Sequence, residues 1–198
     1  KEYNNLPNVT LVSPGNLTWS LTDTGLEFNF TANDESDGIE NCTLYVDGVS
    51  KGTQTPIVED QEYSISPSPL GGEGSYEWYV NCTDNTTFVN VGQSEIRTLY
   101  VDENNPVISI VDYPSSTSDP TPEISFFIND SLSSTINYSI WVDSVETAQD
   151  GEADNATLES IQISPALDLG IHDILIEAED LAGRKINSST MSINITPP

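Results

Sequence analysis

Apolar and polar residues alternate through most of this chain. Between Leu26 and Asn33, Phe28, Phe30 and Ala32 fall on one side of an extended backbone while Asn29, Thr31 and Asn33 fall on the other. This period of two is that of a half-buried strand. The same alternation marks Val9 to Val12, Cys42 to Val46, Tyr63 to Ser66, Tyr76 to Asp84 and Glu95 to Val101. Clusters of Gly, Pro, Asn and Asp separate these stretches, and helical periodicity is absent, so the first half of the chain reads as a series of short strands joined by turns.

The pattern then returns. Asn41 to Asp47 aligns with Asn137 to Asp143, Phe28 to Asp34 with Ile124 to Asp130, and Trp78 to Asp84 with Ile174 to Asp180, all at an offset of 96. One register held across three strands marks an internal repeat. The expected fold is all-β: two tandem antiparallel sandwiches of immunoglobulin or fibronectin III type, covering residues 1–102 and 103–198. The boundary falls at Asp102-Glu103-Asn104-Asn105-Pro106, a connector short enough to favour a stiff rod. Asn5-Leu6-Pro7 is similar to Asn104-Asn105-Pro106, and Thr196-Pro197-Pro198 reads as another connector, so further modules are expected to flank the pair.

Charge narrows the partners. Acidic residues outnumber basic ones 32 to 5, for a net charge of −27, which repels phosphate backbones and anionic lipid. No apolar stretch approaches the roughly 20 residues that span a bilayer, so neither nucleic acid nor direct membrane insertion is expected of this segment. Multivalent cations or a high-salt medium both suit such acidity, and composition leaves the two open.

Eleven of the 17 asparagines head an Asn-x-Ser/Thr sequon: Asn8, Asn16, Asn29, Asn41, Asn81, Asn85, Asn129, Asn137, Asn155, Asn187 and Asn194. With 24 Ser and 19 Thr among 198 residues, chance placement gives only about 4. Alternation puts Asn29, Asn81 and Asn194 on the solvent face, so N-linked glycans are expected at several sites. Cys42 starts its strand and Cys82 ends its own. In an antiparallel pair the two meet, with Leu44 facing Val80 and Val46 facing Trp78. A disulfide is expected there, with two buried free thiols as the alternative, and oxidation would agree with an extracellular compartment. The second repeat has Tyr138 and Ala178 there, a large and small pair filling similar space.

Catalytic chemistry finds no foothold. His172 stands alone without a nucleophile motif and reads as structural, and Gly71-Gly72-Glu73-Gly74 precedes a strand, hence a turn and no phosphate cradle. Tyr45, Tyr79 and Tyr100 share an outward phase and are expected to form one aromatic face, either a ligand platform or cross-strand pairs stabilising the sheet. Asp34 with Asp84, and Asp130 with Asp180, should converge at strand ends. With Asp102, Glu103 and Asn104 of the connector, the second pair would gather the oxygen ligands calcium requires. Aspartates capping their own turns are the competing explanation.

The strand ending in Tyr45-Val46-Asp47-Gly48, the run Trp78 to Asp84, the turn Glu179 to Gly183 and the junction Val101 to Pro106 together resemble tandem immunoglobulin-like modules of prokaryotic, particularly archaeal, cell-surface and S-layer-associated proteins. The resemblance covers nearly the whole chain and implies a non-catalytic spacer, lattice or adhesion segment at the cell surface. Its expected partners are other modules or copies of the same surface protein. A carbohydrate-binding module and an accessory segment of a secreted hydrolase are the alternatives.

Overall fold

A computed structural model describes residues 5–35, 38–87 and 89–198. The chain is all-β and divides into two compact units, Lys1–Glu103 and Asn104–Pro198, each a two-sheet sandwich. The first contains β1 (Asn8–Ser13), β2 (Thr18–Ser20), β3 (Phe28–Asn33), β4 (Ile39–Val46), β5 (Val49–Gln54), β6 (Glu62–Ile65), β7 (Gly74–Asp84), β8 (Val91–Gln93) and β9 (Arg97–Val101). Strands β1-β3-β6 form one sheet and β2-β9-β7-β4-β5 the other, with β8 added to β7. All pairs are antiparallel except β2 with β9. The second unit repeats the plan with β10 (Val107–Asp112), β11 (Ser116–Thr117), β12 (Glu123–Asn129), β13 (Thr135–Val142), β14 (Val145–Asp154), β15 (Leu158–Gln162), β16 (Gly170–Glu179), β17 (Lys185–Asn187) and β18 (Met191–Ile195).

The repeat is kept strand by strand, but its offset is not constant. Asn33 pairs with Asn8 and Asn129 with Val107, so the first strand is displaced by 99 where the central strands keep 96. After β7 and β16 the offset falls to 94: Ser94 and Ser188 make the same bonds, each taking an amide from the strand beside it and giving its own amide back. Length changes thus sit in loops, where backbone can be added without breaking a ladder.

Each core is built from the inward phase of its strands. In the first unit Phe28, Phe30, Leu44, Trp78, Val80 and Leu99 are essentially inaccessible, and Trp78 meets Phe28 edge to face at 4.9 Å. Cys42 and Cys82 form a disulfide between directly opposed residues of β4 and β7. Leu44 is opposite Val80, and Val46 opposite Trp78. The second core replaces aromatics with isoleucine, including Ile124, Ile128, Ile136, Ile140, Ile174 and Ile176. Tyr138 stands opposite Ala178 there, only partly buried, with its ring edge-on to Phe126 at 5.2 Å and over Gly151, where a Cβ would overlap it.

Matching two-residue hairpins join the third and fourth major strands of each unit. Asp47-Gly48 and Asp143-Ser144 both have positive φ at both positions, 49° and 74° in one, 50° and 67° in the other, the signature of a type I′ turn. Each aspartate also accepts a backbone amide from the neighbouring strand, of Glu77 or Asp173, at 2.9 Å. Ser144 carries a side chain into a conformation glycine adopts freely. Ser144→Gly is therefore expected to stabilise the second unit by about 0.5–1 kcal/mol, read as a rise in its denaturation midpoint with an unchanged m-value.

Candidate metal centre and surface sites

Strands β12 and β16 deliver Asp130 and Asp180 to one pole of the second unit, each one residue past its strand. Loop geometry there is tightly specified. Asp130 Oδ1 accepts the amides of Leu132 at 2.9 Å and Ser133 at 2.6 Å, while Asp180 Oδ1 accepts the amide of Arg184 at 2.8 Å. Asn155 clasps the same loop: its Nδ2 donates to the carbonyls of Asp130 and Ser133, and its Oδ1 accepts the Asp130 amide. The Ser133 hydroxyl, fully buried, accepts the amide of Leu181.

What remains is one oxygen on each acid. Oδ2 of Asp130 and Oδ2 of Asp180 are both covered and have no hydrogen-bond partner, and Asp180 is only 4% exposed. Carboxylate oxygens of the two residues lie within 4.8 Å of each other. Burial, and then the charge of Asp130, push the Asp180 carboxyl above the usual carboxylate range. Two acids held side by side with an undonated buried oxygen apiece are unfavourable as they stand, and a hard divalent cation taking oxygen ligands answers that chemistry.

The first unit shows that an aspartate at this repeat position does not by itself make such a site. Asp84 occupies the place of Asp180, yet its carboxylate accepts the amide and side-chain amide of Asn90 together with the amide and hydroxyl of Thr86. Burial alone would raise its pKa, but these donors more than offset it and hold the carboxyl below its ordinary value. Glu59, the counterpart of Asn155, accepts the Asp34 amide at 3.3 Å. The two poles, expected to repeat one arrangement, share their acids, but Asp84 has both carboxylate oxygens taken where Asp180 Oδ2 takes no donor. Of the connector residues, Asp102 is buried, its amide donating to Ser20 at 2.9 Å. Glu103 is exposed and accepts the Asp23 amide, and Asn104 is exposed.

The sequons fall into two sets. Asn8, Asn16, Asn85, Asn137, Asn187 and Asn194 are exposed, while Asn29, Asn41, Asn81, Asn129 and Asn155 are half-buried. Asn155 departs from expectation for a clear reason: its Nδ2, the atom a glycan would use, already makes the two hydrogen bonds of the clasp. Asn29 and Asn81 take the outward phase that alternation gives them, but Asn81 is flanked by Thr43 and Gln93 and Asn29 by Ser13 and Ser64. Their amide oxygens are covered without a donor.

The three tyrosines do not form one face. Tyr45 and Tyr79 stack on each other at 5.2 Å and 8°, whereas Tyr100 stacks on Trp19 at 4.6 Å. The reason is register: Tyr100 lies opposite Ser75, four residues along β7 from Tyr79. Shared phase placed them on one side of the sheet but not beside one another, and each ring satisfies a cross-strand neighbour.

His172 has a structural role. Its Nδ1 is 2.7 Å from Asp143 Oδ2 and its Nε2 is 3.0 Å from the Asp168 carbonyl. Two acceptors call for two N–H donors, the imidazolium form. The Asp143 hydrogen bond foremost raises the His172 pKa, with burial opposing it. A raised folded pKa means that the stability from this contact is fully present below the unfolded histidine pKa of about 6.5 and is lost as pH rises through the folded value. His172→Gln is accordingly expected to cost the second unit more stability at pH 5.5 than at pH 8.5, as measured by chemical denaturation at both.

No protein-family model and no curated protein matches this chain. Solved structures do. Consecutive domains of titin match with a TM-score of 0.51 at 12% identity, over 96% of this chain and 65% of theirs. The fibronectin(III)-like modules of CbhA from Clostridium thermocellum give 0.48 at 15%, over 96% and 95%. A calcium-stabilised, ice-binding adhesin of an Antarctic bacterium gives 0.45 at 14%, over 98% and 49%. At these identities the titin match speaks for the fold alone: tandem immunoglobulin- or fibronectin III-like sandwiches.

Proposed function

We propose that this chain is a non-catalytic structural segment of a glycosylated extracellular surface protein, a spacer within a surface layer, stalk or filament, and that calcium consolidates its second module. The observation that carries the calcium reading is the pair of covered, undonated oxygens on Asp130 and Asp180, set against the saturated carboxylate of Asp84. The disulfide and the exposed sequons support an oxidising, extracellular setting. Where two acids fall short of the six to eight oxygens calcium takes, waters would complete the set.

Such a segment transmits position and load without turning over a substrate. The test is differential scanning calorimetry on the 198-residue chain with 1 mM calcium or chelator at constant ionic strength. Calcium is expected to raise the melting temperature of the second module. Identical profiles would show that the acids serve solvation only. Glycopeptide mass spectrometry of the native protein tests the surface reading separately, and a chain bare at all sequons would contradict it.

A further inference from the structure

The outward face of the second module carries a depression of about 300 Å³ lined in part by Leu175. Its lining can be derived from register. Leu175 and Glu177 share one phase of β16, Trp141 is opposite Leu175, and Asn187 is opposite Glu177, so all four side chains leave the same side of the sheet. Trp141, Asn187, Thr190, Asp173 and Glu177 line it as well; Asp173 Oδ1 accepts from the Ser192 hydroxyl and Glu177 Oε1 from Lys185. Trp141 is half-buried and its indole N–H is covered, so what it offers the depression is the carbon framework of the ring.

The first module carries different side chains at the equivalent positions. Tyr45 and Tyr79 stand where Trp141 and Leu175 stand, stacked face to face, and Gln93 stands where Asn187 stands. Replacing Tyr79 by Leu175 removes a ring from the pair and leaves the indole without a partner of its own size. Where the ring is lost, a sequon is present: Asn187-Ser188-Ser189, with Asn187 exposed. Its backbone is pinned, because the Ser188 amide donates to the Ile176 carbonyl at 2.8 Å while the Ser188 hydroxyl accepts the Ile176 amide and donates to the Ser189 carbonyl. The asparagine therefore leaves the sheet at a fixed point on the rim.

We propose that this depression seats the first sugar of an N-linked glycan carried by Asn187, with the pyranose ring packed against Trp141 and Leu175 in the position that Tyr79 fills in the first module. This rests on the glycoprotein reading above. The apolar face of a pyranose suits the indole, and its hydroxyls have Asp173 and Glu177 as acceptors. A single aromatic wall gives a free sugar little affinity. A sugar tethered at the rim is held at an effective concentration in the millimolar range or above, where the same contact is populated.

The experiment uses the full chain made in a host that glycosylates Asn-x-Ser/Thr, beside Asn187→Gln and Trp141→Leu versions. Glycopeptide mass spectrometry reads occupancy, NMR with a ¹³C-labelled glycan reads contacts between sugar and indole protons, and calorimetry reads the second module. Expected are an occupied Asn187, nuclear Overhauser contacts to Trp141, a melting temperature about 2–6 °C lower in Asn187→Gln, and no further loss on deglycosylating Trp141→Leu. An occupied Asn187 without indole contacts overturns the proposal and leaves the glycoprotein reading intact, as does a bare Asn187 with other sequons filled. A native chain bare at all sequons ends both. Saturable binding of free N-acetylglucosamine below millimolar by the unglycosylated chain overturns the tether, making the site one for a free ligand.

Discussion

Replacing Cys42 and Cys82 with alanine is expected to lower the melting temperature of the first module by roughly 15–30 °C and leave the second where it was. The bridge closes a sequence separation of 40, for which chain-entropy arguments give about 4 kcal/mol, and a domain of this size moves by about 4–8 °C per kcal/mol. Both sulfurs are also completely buried beside Leu44 and Val80, so alanine removes packing as well as the cross-link. The second module supplies a way to separate those two effects. It fills the same position with Tyr138 and Ala178, and it can do so because Gly151 lies opposite Tyr138 on β14. In the first module the residue opposite Cys42 is Gln54, whose Cβ would meet a tyrosine ring. Cys42→Tyr with Cys82→Ala should therefore be no better than the double alanine, and adding Gln54→Gly should recover part of the loss. Calorimetry resolving two transitions checks this. A shift of equal size in both transitions, or none in the first, would mean that the bridge does not hold this module together.

Much of the sandwich was legible because its strands are half-buried. Phe28, Phe30 and Ala32, or Trp78, Val80 and Cys82, declare a face by alternation alone, and antiparallel neighbours that share a face fix the register at which Cys42 meets Cys82. The strands that went unread carry no such mark. β5 is a sheet edge with no buried residue in Val-Ser-Lys-Gly-Thr-Gln, β2 is three half-buried residues, and β8 contributes only Gly92 to the interior. The candidate sites were legible to the level of which residues share a pole or a phase, and no further. Phase put Tyr45, Tyr79 and Tyr100 on one side, but only the register of β9 on β7 separates Tyr100 from the other two. Strand-end position gave Asp84 and Asp180 equal standing. Their difference lies in loops of different length, where Asn90 and Thr86 reach back to Asp84 and no side chain does the same for Asp180 Oδ2. Asn155 was read as a glycan acceptor because its sequon is local, while the two carbonyls it clasps belong to a loop more than 20 residues away.

Asp180→Asn should abolish the calcium response of the second module without weakening the calcium-free protein. The substitution is chosen from the hydrogen bonds. Asparagine keeps an oxygen to accept the Arg184 amide, so the loop is preserved, and it removes the buried one of two charges that repel each other within 4.8 Å. In chelator the variant is expected to melt no lower than the parent, because the raised pKa of Asp180 marks its ionised form as disfavoured in the fold. With calcium at 100 times its dissociation constant the parent gains about 2.7 kcal/mol by mass action, roughly 10–20 °C for one module, while the variant loses a ligand charge and gains none. Two controls fix the cause. Asp84→Asn in the first module should melt lower with and without calcium alike, since an amide nitrogen there faces the donors of Asn90 and Thr86. Magnesium, which demands stricter octahedral geometry and sheds water reluctantly, should stabilise the parent less than calcium does. Ionic strength must be held constant, because a chain of net charge −27 is stabilised by any added cation through screening. An equal calcium shift in parent and Asp180→Asn would sink the site and return Asp130 and Asp180 to the role of turn caps.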